Sequence, residues 1–205
     1  MKLYTCKIAP NARKVTLYLE EKGIIQDVEQ VEVNLMAGEQ NDPAYRALNP
    51  LGKVPVLQLD DGSCITESLS IIEYFEDVYP ENPLTGHTGE DRAKIKAIER
   101  FIDQEVMGTM GIIAHHKMPL FAERFKPSND VIEYGMARQA EALDHLESFI
   151  GQGPFVMGQH FSLADITLYV TMGSAHLIDA GLDPKYKNIS RCLEATHQKI
   201  ISGEH

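Results

Sequence analysis

The spacing of apolar residues changes character about eighty residues into the chain. Lys2 to Cys6 reads as a short strand that stops at Lys7-Ile8-Ala9-Pro10-Asn11. From Ala12 the period becomes helical: Val15, Tyr18 and Leu19 share a face, and Gly23 supplies a C-terminal stop. Val28, Val31 and Val33 fit a second strand, and Pro43 to Leu48 a short helix. Val54 to Leu59 and Ser63 to Ile65 flank Asp60-Asp61-Gly62, an Asp-Gly turn signal, and predict a β-hairpin. Leu69, Ile72, Phe75 and Tyr79 then line one face of another helix. The predicted order is β-α-β-α-β-β-α.

Tyr79 to Gly86 carries two prolines and a glycine, which places a linker over residues 81–88 between a first domain of residues 1–80 and a second of residues 89–205. The second domain shows no strand pattern. Asp91 to about His116 reads as one long helix ended by Pro119. Val131 to Ile150 reads as another, with Ile132, Met136, Ala140, Leu143, Leu146 and Ile150 on one face. Ser162 and Asp165 are spaced as a capping box, with Phe161 and Ile166 placed for a hydrophobic staple. This half is expected to be an all-α bundle.

Composition narrows the setting. A chain of 205 residues that is 43% hydrophobic can bury an ample core. A formal net charge of −11 argues against nucleic acid or an anionic membrane surface as partner. The three cysteines, Cys6, Cys64 and Cys192, are far apart and odd in number, which argues against a disulfide framework, and their spacing suggests no zinc site. With no leader-like N-terminus and no spanning apolar run, the expected setting is a reduced cytoplasm.

The chemistry concentrates in two short motifs. Asn49-Pro50-Leu51-Gly52-Lys53-Val54-Pro55-Val56-Leu57 is a tight approach into a strand. Pro55 cannot donate to a sheet ladder and is a candidate for a cis bond that turns the backbone of Val54 outward. Ten residues on, Glu67-Ser68 falls where a helix begins, and unpaired N–H groups there receive carboxylates. Together they predict a pocket that grips a small peptide: main-chain pairing from Val54, and polar capture of one end by Glu67 and Ser68.

NPLGKVPVL with ITESLSIIEYF resembles the glutathione-binding half of the cytosolic glutathione transferases. The resemblance continues upstream in MKLYTCKIAPNARKVTLYLEEKGI and downstream in FSLADITLY. It implies a thioredoxin-like N-terminal domain followed by an all-helical C-terminal bundle, with glutathione as co-substrate and no metal. It further implies a homodimer, with a small hydrophobic electrophile as second substrate. Glu67 would take the γ-glutamyl ammonium, while Ser68 and its N–H take the α-carboxylate. Lys53, supported by Gln40, would meet the glycyl carboxylate. An acidic residue on the first long helix, Asp103 of the partner subunit or the neighbouring Glu105, would complete the γ-glutamyl grip. Each has a plainer reading, as a helix start, a solvated lysine or a charged helix face.

The thiol must be held as thiolate, which calls for donors where the first helix opens. Many of these transferases carry Ser, Thr or Cys just before the proline of that turn; here the position is Ala9, which has no donor. Asn11 resembles the asparagine of the xPN segment in nu-class and fungal-type members and is the candidate donor to sulfur, with a helix N-cap as its alternative role. Thr5 and Tyr4 lie before the turn. Cys6 reads either as a buried, inert residue or as a site of mixed-disulfide chemistry beside Lys7; Cys64 and Cys192 read as structural. The electrophile would meet Met107, Met110, Ile112, Ile113 and His115-His116, although such a Met-rich face also suits ordinary core. The expected activity is conjugation of glutathione to small hydrophobic electrophiles. The alternatives are a glutathione-dependent disulfide or peroxide reductase, and a non-catalytic glutathione-binding or regulatory module.

Overall fold

The computed structural model describes residues 1–203; residues 204 and 205 of the expected helical domain lie outside them. The chain divides into two units, the first Met1–Leu84 and the second starting at Thr85. The first unit is a four-stranded mixed sheet in the order β2-β1-β3-β4, built from β1 (Lys2–Thr5), β2 (Glu29–Glu32), β3 (Val56–Gln58) and β4 (Cys64–Thr66). β1 pairs parallel with β2 and antiparallel with β3, and β3 pairs antiparallel with β4. Three helices accompany the sheet: α1 (Pro10–Glu21), α2 (Pro43–Leu48) and α3 (Ser68–Val78). This is the thioredoxin-like arrangement.

Local chemistry explains these elements. Pro10 at the first helical position presets φ where an N–H would have no partner. Val15, Tyr18 and Leu19 are buried, as their spacing predicted. The central strands carry the core, with Leu3, Val56 and Leu57 fully buried, while the edge strand β2 is largely charged and exposed, which discourages pairing with another chain. The Asp61 carboxylate closes the β3–β4 hairpin by accepting from Ser63 N–H at 2.9 Å and Ser63 Oγ at 2.6 Å; these donors lower its pKa. In α3 the buried stripe is Ser68, Ile71, Ile72 and Phe75. Leu69 is only half-buried, and Tyr79 lies past the helix end. The predicted face was therefore rotated by about one residue.

The chain leaving α3 is fixed by a buried lysine. Lys22 Nζ donates to the carbonyls of Tyr79 (2.7 Å), Glu81 and Asn82 (3.4 Å) and lies 3.7 Å from Glu76 Oε1. The same carboxylate oxygen accepts from Tyr18 Oη (2.7 Å) and Leu84 N–H (3.2 Å). One ion pair thus satisfies the carbonyls of a segment rich in turn residues.

The second unit is helical, with α4 (Gly89–Phe101), α5 (Gly108–Lys117), α6 (Asn129–Phe149), α7 (Leu163–Gly173) and α8 (Lys187–Ser202). Its core includes Ile102, Val106, Leu143, Leu146, Leu168, Ile189 and Cys192. The expected long helix is continuous from α4 to α5, but Ile102–Met107 within it is π-helical. The expected apolar face of α6 needs correcting. Met136 is 53% exposed and Ala140 is also exposed, while Gly135, Gln139, Ala142, Leu143 and Leu146 are buried. Gly135 explains the rotation: a Cβ there would stand 2.8 Å from Ile113 Cγ1, so α5 and α6 pack at a distance only glycine permits.

The α7 capping box is present, and Asp165 does more than cap. Its Oδ2 accepts from Ser162 N–H and Oγ, each at 3.0 Å, and its Oδ1 accepts from Val156 N–H at 2.7 Å, which ties the preceding loop to the helix start. Burial outweighs these donors and raises the carboxyl pKa to about 6. A folded-state pKa above the unfolded value means that the folded chain binds more protons between about pH 4 and 6, so this group's contribution to stability falls as pH rises through that window. Asp165→Asn is therefore expected to be less destabilising at pH 7 than at pH 4, by on the order of 2–3 kcal/mol. Denaturant unfolding of both proteins at the two pH values checks this; a penalty that grows with pH would contradict it.

Candidate functional site

The sheet topology brings the predicted residues of the first unit to one edge. β1 and β4 each run antiparallel to β3, so both end at the same edge, and β3 begins there, with Val56 paired to Tyr4 and Thr66. The segment leaving β1 opens α1, the segment leaving β4 opens α3, and the segment entering β3 carries Lys53 and Val54. Three polar chain ends therefore meet along one rim.

After β1 the chain turns through an Ala9 N–H to Cys6 carbonyl bond of 3.1 Å and enters α1, whose N-cap is Ala9. Asn11 is thus the second residue of the helix and not its cap, which removes the competing role its residue type had suggested. The first intrahelical bond is from Arg13 N–H to Ala9 carbonyl, and among the described residues the N–H groups of Asn11 and Ala12 have no acceptor. The Asn11 side chain reaches the start of α3, where its Oδ1 accepts from Ser68 Oγ at 3.0 Å. That leaves both amide hydrogens of Asn11 Nδ2 available.

At α3 the N-cap is Glu67, with φ 70° and ψ 125°. Positive φ is disfavoured for any residue with a Cβ, and such strain concentrates where a side chain has a task. Glu67 makes no side-chain cap and is exposed, and its carboxylate has no hydrogen-bond or ion-pair partner among the described residues. The first three N–H groups of α3 are likewise open, since the first bond runs from Ile71 N–H to Glu67 carbonyl. The rim therefore offers a free carboxylate beside a positive helix end, a pairing suited to a ligand bearing both an ammonium and a carboxylate.

The loop into β3 is anchored through one atom. The Lys53 carbonyl accepts from Tyr45 Oη and from Asn49 Nδ2, both at 2.8 Å. Burial pushes the Tyr45 pKa up to about 12, so its phenol remains a donor at neutral pH. The Val54–Pro55 bond is cis, and among the described residues the Val54 backbone has no hydrogen-bond partner. Arg46 joins this loop to the turn before α2, donating to Pro50 carbonyl (2.6 Å) and Asn41 Oδ1 (2.9 Å). Gly52 sits at φ +60° with the Gln40 carbonyl 2.8 Å from where a Cβ would be, so Gln40 lies against the residue before Lys53. Gln40 Oε1 is buried without a partner, while Lys53 is exposed and unpaired among the described residues.

Other sequence candidates are placed elsewhere or already engaged. Cys6 is only 4% exposed. The buried Thr5 hydroxyl meets Thr16 Oγ1 at 3.3 Å, and Tyr4 Oη donates to Gln58 at 3.3 Å. In the second unit Asp103 pairs with Arg100 at 2.9 Å and Glu105 with Arg138 at 2.8 Å. Met110 and Ile113 are core, packed with Ala175 and Ile178, while His115 stacks on Phe125 with ring centroids 4.3 Å apart. No group of three His, Cys, Asp or Glu side chains among the described residues could hold a metal ion, and no helix is long and apolar enough to cross a membrane. The Asn11–Ser68 contact and the backbone of Glu67 had no signal in the sequence beyond both residues opening helices.

Comparison with known proteins identifies the family. Residues 3–83 match the model of the glutathione S-transferase N-terminal domain, and residues 95–194 that of the glutathione S-transferase C-terminal domain. The chain is 31% identical over 171 residues to glutathione S-transferase 2 of Saccharomyces cerevisiae, covering 82% of this chain and 73% of that one. The chain belongs to the glutathione S-transferase family. It is also 28% identical over 201 residues to a maleylacetoacetate isomerase of Pseudomonas aeruginosa, covering 96% of this chain and 92% of the relative. A crystal structure of a glutathione S-transferase from Methylobacillus flagellatus with glutathione bound superposes with a TM-score of 0.81 at 27% identity, covering 97% of this chain and 98% of that one. The relatives include transferases and an isomerase, so what is established is the family and not a class within it.

Glu67 offers a test of strain against task. Because only glycine is at ease at its φ, Glu67→Gly is expected to be more stable than Glu67→Ala by about 1 kcal/mol. Equal denaturation midpoints for the two variants would show that the backbone there carries no strain.

Proposed function

We propose that this chain is a glutathione transferase that binds glutathione along the rim of its first unit, holds it as thiolate, and conjugates it to small hydrophobic electrophiles. The observation that carries the reading is the convergence of unsatisfied groups in complementary order. The backbone of Val54 pairs with the tripeptide main chain. The open N–H groups of α3 at Ser68 take the γ-glutamyl α-carboxylate, and Glu67 takes the adjacent ammonium. Lys53, with Gln40 beside it, meets the glycyl carboxylate. Asp103 of a partner subunit, which pairs with Arg100 within its own helix, would complete the γ-glutamyl grip. A homodimer remains part of the proposal on the family resemblance.

This placement sets the sulfur before α1. With Ala9 contributing no hydroxyl, the thiolate is stabilised by Asn11 Nδ2, by the open N–H groups of Asn11 and Ala12, and by the positive helix end, as in the nu-like turn that the sequence resembles. The thiol proton leaves to solvent. The sulfur lone pair then forms the new S–C bond as the leaving group departs with its electron pair, or as an activated double bond accepts the pair and later a proton.

A second reading draws on the likeness to the Pseudomonas aeruginosa isomerase, which extends over 96% of this chain. There the thiolate would add to a double bond and be expelled again after rotation, leaving glutathione unconsumed. Loss of free thiol during turnover separates the two. In a reductase reading the bound glutathione thiolate would attack a disulfide or peroxide; a mechanism with Cys6 as nucleophile is not favoured by its burial, and Cys6→Ser activity equal to wild type would remove that mechanism. Retention on immobilised glutathione without turnover of chlorodinitrobenzene would favour the non-catalytic module.

Two outcomes test the assignments. Glu67→Ala is expected to weaken glutathione binding by roughly 1.5–3 kcal/mol, the range for a charge-assisted contact; unchanged affinity by calorimetry would show the ammonium to be held elsewhere. Asn11→Ala is expected to raise the pKa of bound thiol by about one to two units, because the donor it removes favours the charged form. An unshifted pH dependence of thiolate absorbance would take Asn11 out of the mechanism.

A further inference from the structure

Two neighbouring residues of α2 hold the loop into β3, and they hold different parts of it. Tyr45 Oη and Asn49 Nδ2 each donate to the Lys53 carbonyl at 2.8 Å, which anchors the entrance to Val54. Arg46 reaches the residues before it. Its Nη1 donates to the Pro50 carbonyl at 2.6 Å and its Nη2 to Asn41 Oδ1 at 2.9 Å. A Cβ on Gly52 would stand 2.7 Å from Arg46 Cζ and 2.8 Å from the Gln40 carbonyl. The half-buried guanidinium therefore lies against Gly52 and bridges the turn that carries Gln40 to the arc that leads into Lys53. Gln40 and Lys53 are the two residues assigned to the glycyl carboxylate, and they come from separate segments.

A planar guanidinium with fixed N–H directions can bridge two acceptors while its body packs on a glycine. A lysine ammonium supplies the same charge without the fork. We infer that Arg46 is a positioning residue that sets preference for the tripeptide over its γ-glutamylcysteine fragment: by joining Asn41 to Pro50 across Gly52, it places Gln40 and Lys53 to receive one glycyl carboxylate together. This rests on the proposed role of Lys53. Without the bridge, the two segments must be brought into register as the ligand arrives, and that ordering weakens binding. The Lys53 carbonyl keeps its own two donors, so Val54 stays in place and the loss falls on the glycyl end.

The test compares, by calorimetry, the affinities of glutathione and of γ-glutamylcysteine, which lacks the glycyl residue. The proteins are wild type, Arg46→Met, Arg46→Lys, Asn41→Ala, Lys53→Met and the double variant of Arg46→Met with Lys53→Met. Arg46→Met is expected to weaken glutathione binding about tenfold and γ-glutamylcysteine binding less than about twofold. Arg46→Lys should behave like Arg46→Met, since charge without the fork does not rebuild the bridge. Asn41 is exposed, and Asn41→Ala removes one end of the bridge at little risk to folding; it should show the same selective loss at about two- to threefold. The double variant should bind glutathione little more weakly than Lys53→Met, because Arg46 acts through that residue. The inference is overturned if Arg46→Met or Asn41→Ala weakens both ligands equally, if Arg46→Lys keeps the wild-type preference, or if the two losses simply add. If Lys53→Met itself does not discriminate between the ligands, the placement of the glycyl end has failed and the inference falls with it. A selective Lys53 loss beside unselective Arg46 and Asn41 variants overturns the inference alone.

Discussion

Asn11 Oδ1 and Ser68 Oγ meet 3.0 Å apart, and through that contact the first turns of two helices are held to one point. Each helix brings N–H groups that its own ladder cannot satisfy, so the point is rich in donors and carries the positive ends of two dipoles. The sheet makes the meeting unavoidable. With β3 antiparallel to both of its neighbours, β1 and β4, the chain leaves those two strands at the end of the sheet where β3 begins. Whatever binds there sees two helix ends and one strand entrance together, which is the complement of a short peptide with an anionic head.

The surroundings hold this rim through several satisfied polar groups. The Lys53 carbonyl has two donors, the turn before α2 is tied by Arg46, and Thr5, Tyr4 and Tyr18 have internal partners. The Val54 backbone, the Glu67 carboxylate, the Lys53 ammonium and Gln40 Oε1 stand apart from that bookkeeping. Under the proposed binding mode, ordering such groups on a fixed frame costs little when the ligand arrives. In the proposed function, alanine at position 9 leaves the thiolate to an amide and backbone dipoles in place of a hydroxyl.

Much of this was legible in the sequence because the informative residues act locally. Pro43 opens α2 and Asn49-Pro50 follows its end, Asp61-Gly62 closes the hairpin, and the Val54-Pro55 step and the Glu67-Ser68 helix start lie where their chemistry placed them. What stayed hidden depends on contacts distant in sequence. Asn11 and Ser68 are 57 residues apart, and nothing in either neighbourhood announces the other. The π-helical Ile102–Met107 lies inside an otherwise continuous helix, too short for its apolar spacing to reveal the change of period. On α6 an apolar reading chose Met136, but close packing against Ile113 selected the smallest residue, Gly135, and turned the larger one outward.

The central claim is that a tripeptide lies along this rim with its sulfur at the opening of α1. A crystal structure of the protein saturated with glutathione tests it most directly. The account predicts the peptide main chain paired with Val54, the γ-glutamyl carboxylate on the Ser68 N–H with its ammonium on Glu67, and the sulfur within hydrogen-bond reach of Asn11 Nδ2. An empty rim at saturating ligand, or a tripeptide bound with its sulfur away from α1, would contradict it.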